Sequence, residues 1–453
     1  MSIFTLYYLV ATIFMLAFLW NYRQNLFALL LILLAFSGTI AYWIPRGIQM
    51  MNIITVLLST YLIVKTHAWN FFSHSRYLII AFFVFSLYFV FDNLLVHGDK
   101  ILFVFSQYSK YYVPFMSLLL FIYYARKDVI YLRYFNKLIG MILLIQVFIS
   151  AYKFVLLGGN FWEGMVGTFG ELRGGGTGTS FPLVALCWVA INSNMDIRAW
   201  KSWLFIAGLL LLGIAAGKRA VILLFPILFM VLSMYVCKKK YSNRVWVIIA
   251  AAPLLFYIGV RLTPSFNPEK KVWGSFDLEY MLNYTENYSM GKVEDGEERK
   301  EYTGRVGSAL AFWNILKNGD DYTSKTLLGE GVERAYSTIG DRESYDQYGR
   351  DYGLSHRGDI TGVLMLYIAI GVVGVIMFVI YYCFLFRLIR YKRLRFVLFA
   401  LVMFDFVFYN SMTIRDSFVS TLMMFVIVYS LVQYSPRGQY LMNSHPMFAP
   451  RYT

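Results

Sequence analysis

Residues 360–384 read ITGVLMLYIAIGVVGVIMFVIYYCF, an apolar run without a charged side chain. A helix of about 20 apolar residues crosses the hydrocarbon core of a bilayer, so this run predicts a membrane-crossing helix. A second apolar run, VWVIIAAAPLLFYIGV, covers residues 245–260. Between the two lies the long hydrophilic part of the chain, residues 263–358, called the polar segment below. The fold therefore depends on these two spans and on the side of the membrane to which they deliver the polar segment.

Basic residues mark the cytoplasmic ends of both spans. They are Lys238, Lys239, Lys240 and Arg244 before the first span, and Arg387, Arg390, Lys392, Arg393 and Arg395 after the second. Short loops rich in Lys and Arg stay in the cytoplasm, and one crossing separates each basic cluster from the polar segment. The polar segment is also net negative and holds roughly two-thirds of the acidic residues of the chain. We therefore expect it to be extracytoplasmic.

The composition of the whole chain predicts a membrane protein. Its 453 residues are 59% hydrophobic and 19% aromatic, and only 15% are charged, which excludes a soluble globular protein. The formal net charge of +15 belongs to the cytoplasmic loops, so it does not indicate nucleic-acid binding. Cys187, Cys237 and Cys383 have no metal-ligand spacing and are expected to be small core residues.

The apolar runs predict an all-α polytopic membrane protein with about thirteen transmembrane helices, twelve and fourteen being the alternatives. The predicted units are residues 1–262 with helices 1–10, the large and partly helical extracytoplasmic loop 263–358, residues 359–434 with helices 11–13, and a cytoplasmic tail, 435–453. The predicted helices start near Ile3, Leu26, Met51, Tyr77, Tyr111, Phe135, Ser180, Trp203, Ala220, Val245, Ile360, Phe396 and Ser417.

This topology places several cations on the outer side, where cations are under-represented. They are Arg173 among glycines, Lys218 and Arg219 at a tight tip, Arg305 in the polar segment, and Arg415. Arginine donates paired hydrogen bonds to phosphate oxygens, and at a low-dielectric interface this pairing is stronger than in water. We interpret their gathering on one face as a site for a lipid-linked diphosphate. Contact with ordinary lipid headgroups or with a neighbouring acidic residue is the alternative.

A second group of polar residues lies within or next to the predicted helices. It consists of Asp92, Asn93, His97, Lys110, Asp405 and Asn410. Ionisable groups there are costly and are usually paired, which makes them candidate sites. Asp92 and Asp405 would favour a transport function, whereas pairing with Lys110 or another intramembrane donor is the simpler expectation.

Four short motifs follow one another between residues 165 and 385. The first two are Gly170-Glu-Leu-Arg173-Gly, leading to Pro182, and Gly217-Lys-Arg219-Ala. The others are Gly304-Arg305 followed by Trp313 and Gly329-Glu-Gly331, and Ser355-His356-Arg357 followed by Gly371 and Gly374. In order, spacing and common side they resemble the motifs of the O-antigen polymerase and O-antigen ligase superfamily, which are GT-C type membrane glycosyltransferases. Two positions depart from that pattern, with Lys218 in place of Ser and Arg357 in place of Asn.

The resemblance implies a GT-C-like fold and a glycan-transfer site without a metal or a cofactor. Cations stabilise a departing diphosphate, and a histidine can accept the proton of an attacking hydroxyl near pH 7. The catalytic residues would be His356, Arg219 and Arg305. The residues that bind diphosphate or glycan would be Arg173, Lys218, Arg357, Arg415 and Trp313. The alternatives are that His356 caps the next helix and that Arg305 is a solvated first-turn residue.

These expectations predict a polysaccharide polymerase of the bacterial inner membrane. It would transfer an undecaprenyl-diphosphate-linked glycan to a lipid-linked repeat unit on the periplasmic face. Its partners would be the lipid-linked donor and acceptor, membrane lipids and a chain-length regulator, and no nucleic acid. An O-antigen ligase or a protein O-oligosaccharyltransferase is the first alternative. A polysaccharide transporter or flippase is the second, although transporters usually have two similar halves and the sequence shows no internal repeat.

Overall fold

A computed structural model describes the chain in fourteen ranges, and all structural statements below concern these residues. The ranges are 3–69, 76–156, 166–169, 177–193, 200–236, 243–290, 293–294, 297–298, 304–318, 324–337, 360–389, 391–409, 414 and 416–433.

Seven helices form the amino-terminal part of the fold. They are α1 (Ile3–Tyr22), α2 (Leu26–Ala35), α3 (Ser37–Trp43), α4 (Gly47–Thr66), α5 (Arg76–Phe91), α6 (Ile101–Lys127) and α7 (Val129–Leu156). A π-helical turn, Asp92–Val96, extends α5.

The remaining described helices divide into four that precede the polar segment, four within it and three that follow it. They are α8 (Thr177–Ser193), α9 (Trp200–Ala215), α10 (Arg219–Val236), α11 (Asn243–Leu262), α12 (Leu278–Ser289), α13 (Gly304–Asn318), α14 (Ser324–Leu328), α15 (Val332–Ser337), α16 (Gly362–Arg387), α17 (Lys392–Phe408) and α18 (Ser417–Gln433). Two short antiparallel strands, β1 (Val293–Glu294) and β2 (Glu297–Glu298), lie between α12 and α13.

The helices have the length and composition of membrane spans. Among the described residues, five candidates are long and apolar enough to cross a bilayer: α1, α4, α5 with its π turn, α7 and α16. The pair α2 and α3, bent by 67°, makes a sixth if it counts as one span, and α8 to α11 and α18 contain shorter apolar helices. The chain is an all-α polytopic membrane protein, as predicted.

The predicted helix starts agree with the described helices, since each lies in a helix or within two residues of one. The largest difference is at α6, which begins at Ile101 and not near Tyr111. Polar residues such as Ser106 and Gln107 interrupt the apolar pattern there. Both residues are nevertheless part of α6, and both are buried.

Helix α6 is a central element and packs against α4, α5, α7, α15 and α18. Aromatic rings fill these interfaces: Phe115 stacks on Phe82 of α5 with centroids 3.7 Å apart, and Phe121 meets Phe425 of α18 at 4.9 Å. Within a bilayer the hydrophobic effect does not drive helices together, so close packing of this kind has to hold the bundle. Each aromatic pair contributes about 0.5–1.5 kcal/mol beyond its buried area.

The two ends of the bundle differ in charge. One end bears the polar segment, between the end of α11 and the start of α16, and is called the polar end below. At the opposite end, basic residues occupy the last helical turns: Lys65 of α4, Arg126 and Lys127 of α6, and Arg387 of α16.

Helix α16 is broken at Gly371, where the polar segment enters the bundle. Gly371 has φ +63°, and a Cβ at this position would lie 2.1 Å from the carbonyl oxygen of Leu327. Only glycine permits so close an approach of α14 to the broken helix. The break leaves helical carbonyls without their usual donors, and the N–H of Glu330 donates to the carbonyl of Ile368 at 2.7 Å. The polar segment is therefore anchored to α16 through backbone contacts.

Candidate functional site

The predicted site residues fall into three groups in the structure. Arg173, His356, Arg357 and Arg415 lie outside the described residues. Arg219 and Arg305 lie in the first turns of α10 and α13, and their side chains are outside the described part. Lys218 and Trp313 are described. The assignments of catalytic and binding roles therefore stay predictions, and the described neighbours show which parts of the fold carry these residues.

The five predicted arginines share one feature of sequence position: each precedes a described helix or lies in its first turn. Arg173 precedes α8, Arg219 begins α10, Arg305 follows the first residue of α13, Arg357 precedes α16 and Arg415 precedes α18. The unpaired N–H groups and the dipole of a helix start favour a nearby anion. It matters, therefore, whether these five starts lie near one another.

The starts of α8 and α10 touch. The tip between α9 and α10 turns at Gly217, with φ +66°, and the N–H of Lys218 donates to the carbonyl of Gly213 at 3.1 Å. A left-handed glycine followed by such a bond is the usual end of a helix. A Cβ placed on Gly178, the second residue of α8, would lie 3.0 Å from Cγ of Lys218. The aliphatic part of Lys218 therefore packs on the helix that follows the Arg173 motif.

The end of α17 joins the starts of α8 and α16. Ser180 of α8 donates a hydrogen bond to Oδ1 of Asp405 at 3.2 Å, and both side chains are buried. One turn later, the carbonyl of Tyr409 accepts a hydrogen bond from the N–H of Gly362 at 2.6 Å. Gly362 is the first residue of α16, which the His356 motif precedes. Asp405, a candidate intramembrane site in the sequence, is thus placed beside α8.

The start of α16 also contacts α13, the helix that carries Arg305. The N–H of Thr361 donates to Oγ of Ser308 at 3.3 Å. Further along, the rings of Phe312 and Tyr367 meet edge to face with centroids 5.6 Å apart. Helix α13 packs against α17 as well. Helix α13, which contains Arg305 of the third motif, is therefore in direct contact with α16, which contains Gly371 and Gly374 of the fourth.

Helix α18 completes this arrangement. Its start is capped by Asp416, whose Oδ1 accepts hydrogen bonds from the N–H groups of Phe418 and Val419 at 3.0 Å each. The ring of Phe418 lies 5.1 Å from that of Phe169, which immediately precedes the Arg173 motif. The starts of α8, α10, α13, α16 and α18, linked by these contacts around the end of α17, are called the helix-start cluster below.

Neither a protein-family model nor a curated protein sequence matches this chain.

Trp313 lies on α13 and is 63% exposed. Its neighbour Phe312 faces α16, so the indole points away from that interface. Aromatic faces stack on the C–H surfaces of sugars, and an exposed indole is available for such a contact.

The sequence analysis passed over Lys153, near the end of α7. Its side chain is buried, and Nζ lies 4.8 Å from the ring centroid of Tyr7. The Tyr7 hydroxyl in turn donates to the carbonyl of Gly167 at 3.1 Å, just before the Arg173 motif. A lysine within an apolar run of this length is a functional candidate by itself, and that signal was present in the sequence.

A second polar cluster joins the loop after α5 to α15. The N–H of Val332 donates to Oδ1 of Asn93 at 2.6 Å, and the N–H of Glu333 donates to Oδ2 of Asp99 at 3.0 Å. Nζ of Lys100 lies 2.8 Å from Oε1 of Glu333. This set of contacts, called the clasp below, holds the polar segment to the amino-terminal bundle.

Charges in the clasp shift the pKa values of its members. The hydrogen bond from Lys100 lowers the pKa of Glu333, and the same bond raises the pKa of Lys100. Burial raises the pKa of Asp99, against the effect of the backbone donor Glu333. Opposite charges in hydrogen-bond contact favour the charged form of both partners. Lys100 and Glu333 of the clasp are therefore both charged at neutral pH.

Two candidate residues from the sequence lie just beneath the clasp. Nε2 of His97 lies 3.6 Å from Oδ2 of the buried Asp92. Nε2 of His97 also lies 3.3 Å from the carbonyl oxygen of Leu328. The sequence analysis expected Asp92 to pair with Lys110 or another intramembrane donor; in the structure His97 is its neighbour, and Lys110 lies over the ring of Tyr336 at 5.6 Å. Within the described residues, no group of three His, Cys, Asp or Glu side chains could hold a metal ion.

Proposed function

We propose that this chain is a GT-C type glycosyltransferase of the O-antigen polymerase kind, in the inner membrane of a bacterium. It transfers a glycan from undecaprenyl diphosphate to a lipid-linked repeat unit on the periplasmic face. About thirteen crossings, with the polar segment in the periplasm, are part of the proposal. A chain-length regulator is proposed as a protein partner.

One observation supports the proposal above the others. The predicted cations belong to separate parts of the sequence, and the helices that they begin or precede meet in the helix-start cluster. The contacts are Lys218 with Gly178, Ser180 with Asp405, Tyr409 with Gly362, Ser308 with Thr361, and Phe169 with Phe418. Helix starts favour a phosphate group, so the meeting of these starts supports a site for a diphosphate leaving group, which the arginines would bind.

The reaction follows from these roles. A hydroxyl oxygen of the acceptor sugar attacks the anomeric carbon of the donor glycan, and His356 accepts the hydroxyl proton. The bond between that carbon and the diphosphate oxygen breaks, and its electron pair leaves with undecaprenyl diphosphate. Arg219 and Arg305 stabilise the charge that develops on the leaving oxygen. Arg173, Lys218, Arg357 and Arg415 hold the remaining phosphate oxygens, and Trp313 stacks on a sugar of the glycan.

The first experiment deletes the gene and separates the surface glycan on a gel. A polymerase deletion leaves a single repeat unit on the lipid core. Free undecaprenyl-linked polymer would instead indicate a lost ligase, and unmodified protein would indicate a lost oligosaccharyltransferase. An unchanged glycan in all three assays would contradict a role in glycan transfer.

The second experiment returns variants to the deletion strain. Arg219→Ala and His356→Ala should each abolish the polymer ladder at normal protein levels, because one lost stabilising group costs about 10²–10³ in rate. Lys270→Ala is the matched control: Lys270 is an exposed cation of the same polar segment, away from the helix-start cluster. Ladders of normal length from both site variants would refute the assignment.

A further inference from the structure

The chain folds back directly after α11, the predicted span that leads into the polar segment. Nε of Arg261, in the last turn of α11, donates to the carbonyl of Gly274 at 2.8 Å. The N–H of Gly274 donates in return to the carbonyl of Arg261 at 3.1 Å. Residues 263–274 therefore form a closed loop that ends beside the helix from which it starts.

The residues after this loop run along the side of α11. The ring of Phe276 lies 5.1 Å from that of Tyr257 and 6.2 Å from that of Phe256, measured between centroids. Tyr257 precedes Arg261 by four residues, which is about 6 Å along a helix axis. Phe276 therefore lies beside the turn of α11 that precedes Arg261, at the level of the predicted span and not above its end.

Large apolar side chains are exposed on this returning stretch. In the loop and just after it, Val272, Trp273 and Phe276 are 49%, 50% and 37% exposed. In the first two turns of α12, Leu278 and Leu282 are 48% and 55% exposed. Their spacing of four residues places both leucines on one face of α12. These five side chains are called the returning face below.

The returning face is continuous with an exposed apolar surface of α11. Leu254 and Tyr257 of α11 are both exposed, and on a helix that crosses a bilayer such side chains contact lipid. Phe276 packs on Tyr257, so the two surfaces join. Helix α12 buries a different face, with Met281 and Tyr284. An exposed apolar surface that the core does not use marks a site of interaction, and its continuation on α11 indicates that lipid covers it.

The polar groups beside the returning face suit the boundary between lipid and water. The guanidinium carbon of Arg261 lies 4.6 Å from the ring centroid of Trp273, and Nη1 of Arg261 donates to the Tyr257 hydroxyl at 3.1 Å. Tryptophan and tyrosine are enriched at the level of lipid headgroups, and arginine extends its charge to that level. Glu279 is exposed and lies about 100° around α12 from Leu278, so its carboxylate can stay in water.

The loop is held in this shape by Asn267, which is fully buried. Its Nδ2 donates to the carbonyls of Thr263 and Lys271 at 3.0 and 2.9 Å, and its Oδ1 accepts from the N–H of Lys271 at 3.2 Å. A Cβ on Gly274 would lie 2.2 Å from that Oδ1. The exposure of the apolar side chains therefore belongs to a defined loop conformation.

We propose that the returning face inserts into the lipid leaflet at the polar end of the bundle. Val272, Phe276 and the two leucines of α12 lie among the upper parts of the acyl chains, and Trp273 and Arg261 lie at the headgroups. Burial of apolar side chains drives the insertion. The face anchors the start of the polar segment beside α11. The proposal depends on α11 crossing the bilayer and not on glycan transfer.

The test uses the photoreactive amino acid benzoylphenylalanine in the full-length protein, in nanodiscs of phosphatidylglycerol and phosphatidylethanolamine. It replaces Val272 and Leu282 one at a time. Leu254 on α11 is the positive control, and Asn283, which is exposed on the polar side of α12, is the matched negative control. After irradiation, mass spectrometry should find lipid adducts at positions 254, 272 and 282 and none at 283.

Each other result of this test would overturn the proposal. Cross-linked dimers in place of lipid adducts at positions 272 and 282 would show that the returning face binds a second copy of the chain. No adduct at either position would show that the face lies in water. Equal lipid adducts at positions 282 and 283 would show that α12 has no lipid-facing side, and no adduct at position 254 would show that α11 does not contact the bilayer there.

A second experiment changes the polarity of the face. Val272→Asp with Leu282→Asp places two carboxylates in the leaflet, where charges are costly. Benzoylphenylalanine at position 278 should then lose most of its lipid adduct. Asn283→Asp with Asn287→Asp adds the same charge to the polar side of α12 and should keep the adduct. An adduct that persists in the first pair, or is lost equally in both, would contradict the proposal.

The lipid adducts are measured without a glycan substrate. A failed transferase assay therefore leaves this test standing, and a failed test of the returning face leaves the proposed glycan transfer standing.

Discussion

Two lysines ten residues apart at the start of α6 are used in opposite ways. Lys100 belongs to the clasp, where Glu333 of the polar segment supplies its counter-charge at 2.8 Å. Lys110 lies over the ring of Tyr336, with Nζ 5.6 Å from the ring centroid. The polar end therefore has two contacts between the start of α6 and α15, one between opposite charges and one between a cation and an aromatic ring.

This difference separates two kinds of contact that hold α15 to the amino-terminal bundle. In the clasp, Asn93 and Asp99 accept backbone hydrogen bonds. Lys110 instead meets the face of an aromatic ring. Charged residues near a membrane are functional candidates by default, and their partners decide which of them remain so.

The largest expected effect comes from Gly371, next to the contact between α14 and α16. Gly371→Val would combine a left-handed backbone with a clash against Leu327 and should cost about 3 kcal/mol or more of stability. We expect a lower Tm in detergent and new protease cleavage within residues 324–337. Gly98→Ala is the control, because Gly98 has φ +67° but no atom within 4 Å of an added Cβ. Equal effects of the two variants would show that α14 does not need the break in α16.

The next largest effect is expected at Asn93, which is fully buried. Asn93→Leu removes the acceptor of the Val332 N–H, and a buried donor without a partner costs about 1–3 kcal/mol. Hydrogen exchange should become faster at residues 332–336. Asn136→Leu is the control: it breaks a side-chain bond to Asn192 at 2.6 Å that lies outside the clasp. Faster exchange of residues 332–336 in both variants would mean that the effect is not specific to the hydrogen bond between Asn93 and Val332.

The smallest expected effect concerns the exposed pair of Lys100 and Glu333. The pKa of Glu333 is below its ordinary value of 4.5, so its contribution is present above pH 4.5 and is lost as the pH falls through the lower folded value. The pKa of Lys100 is above 10.5, so its contribution is present below pH 10.5 and is lost as the pH rises through the higher folded value. The pair therefore stabilises the clasp between these limits.

Glu333→Gln measures this contribution. The variant should lower Tm by about 2 °C or less at neutral pH, as expected of a surface ion pair. The difference from the wild type should vanish in acid. The charge of Glu333 helps to raise the pKa of Asp99, so the two proteins are compared at neutral pH and again below the range in which both carboxylates titrate. A difference that persists below the folded pKa of Glu333 would mean that the carboxylate charge does not matter.

Much of the helical framework could be predicted from the sequence, and the reason is local. Runs such as 129–156 and 362–387 are apolar over a full membrane thickness. The start of α6 was placed too late because Ser106, Gln107 and Lys110 lower its hydropathy, although α6 buries the first two. The sequence shows a glycine at position 371, but it does not show that α16 is broken there or that α14 contacts the break. Its significance depends on α14, which approaches it from the polar segment.

The candidate site was predictable in part. The sequence allowed the arginine motifs to be grouped on one side of the membrane. The contacts between helix starts could not be predicted from it. Lys153 was missed although its position in an apolar run marked it.

The sequence by itself determined that this is a helical membrane protein with a polar end and a basic end, because the transfer of apolar and charged side chains between water and lipid is nearly additive along the chain. Only the tertiary structure decided which polar groups meet. Asn93 and Val332 are 239 residues apart, and Tyr88 and Ile370 are 282 apart. Contacts at such separations depend on how whole helices pack, and that packing is a cooperative property of all the interfaces together.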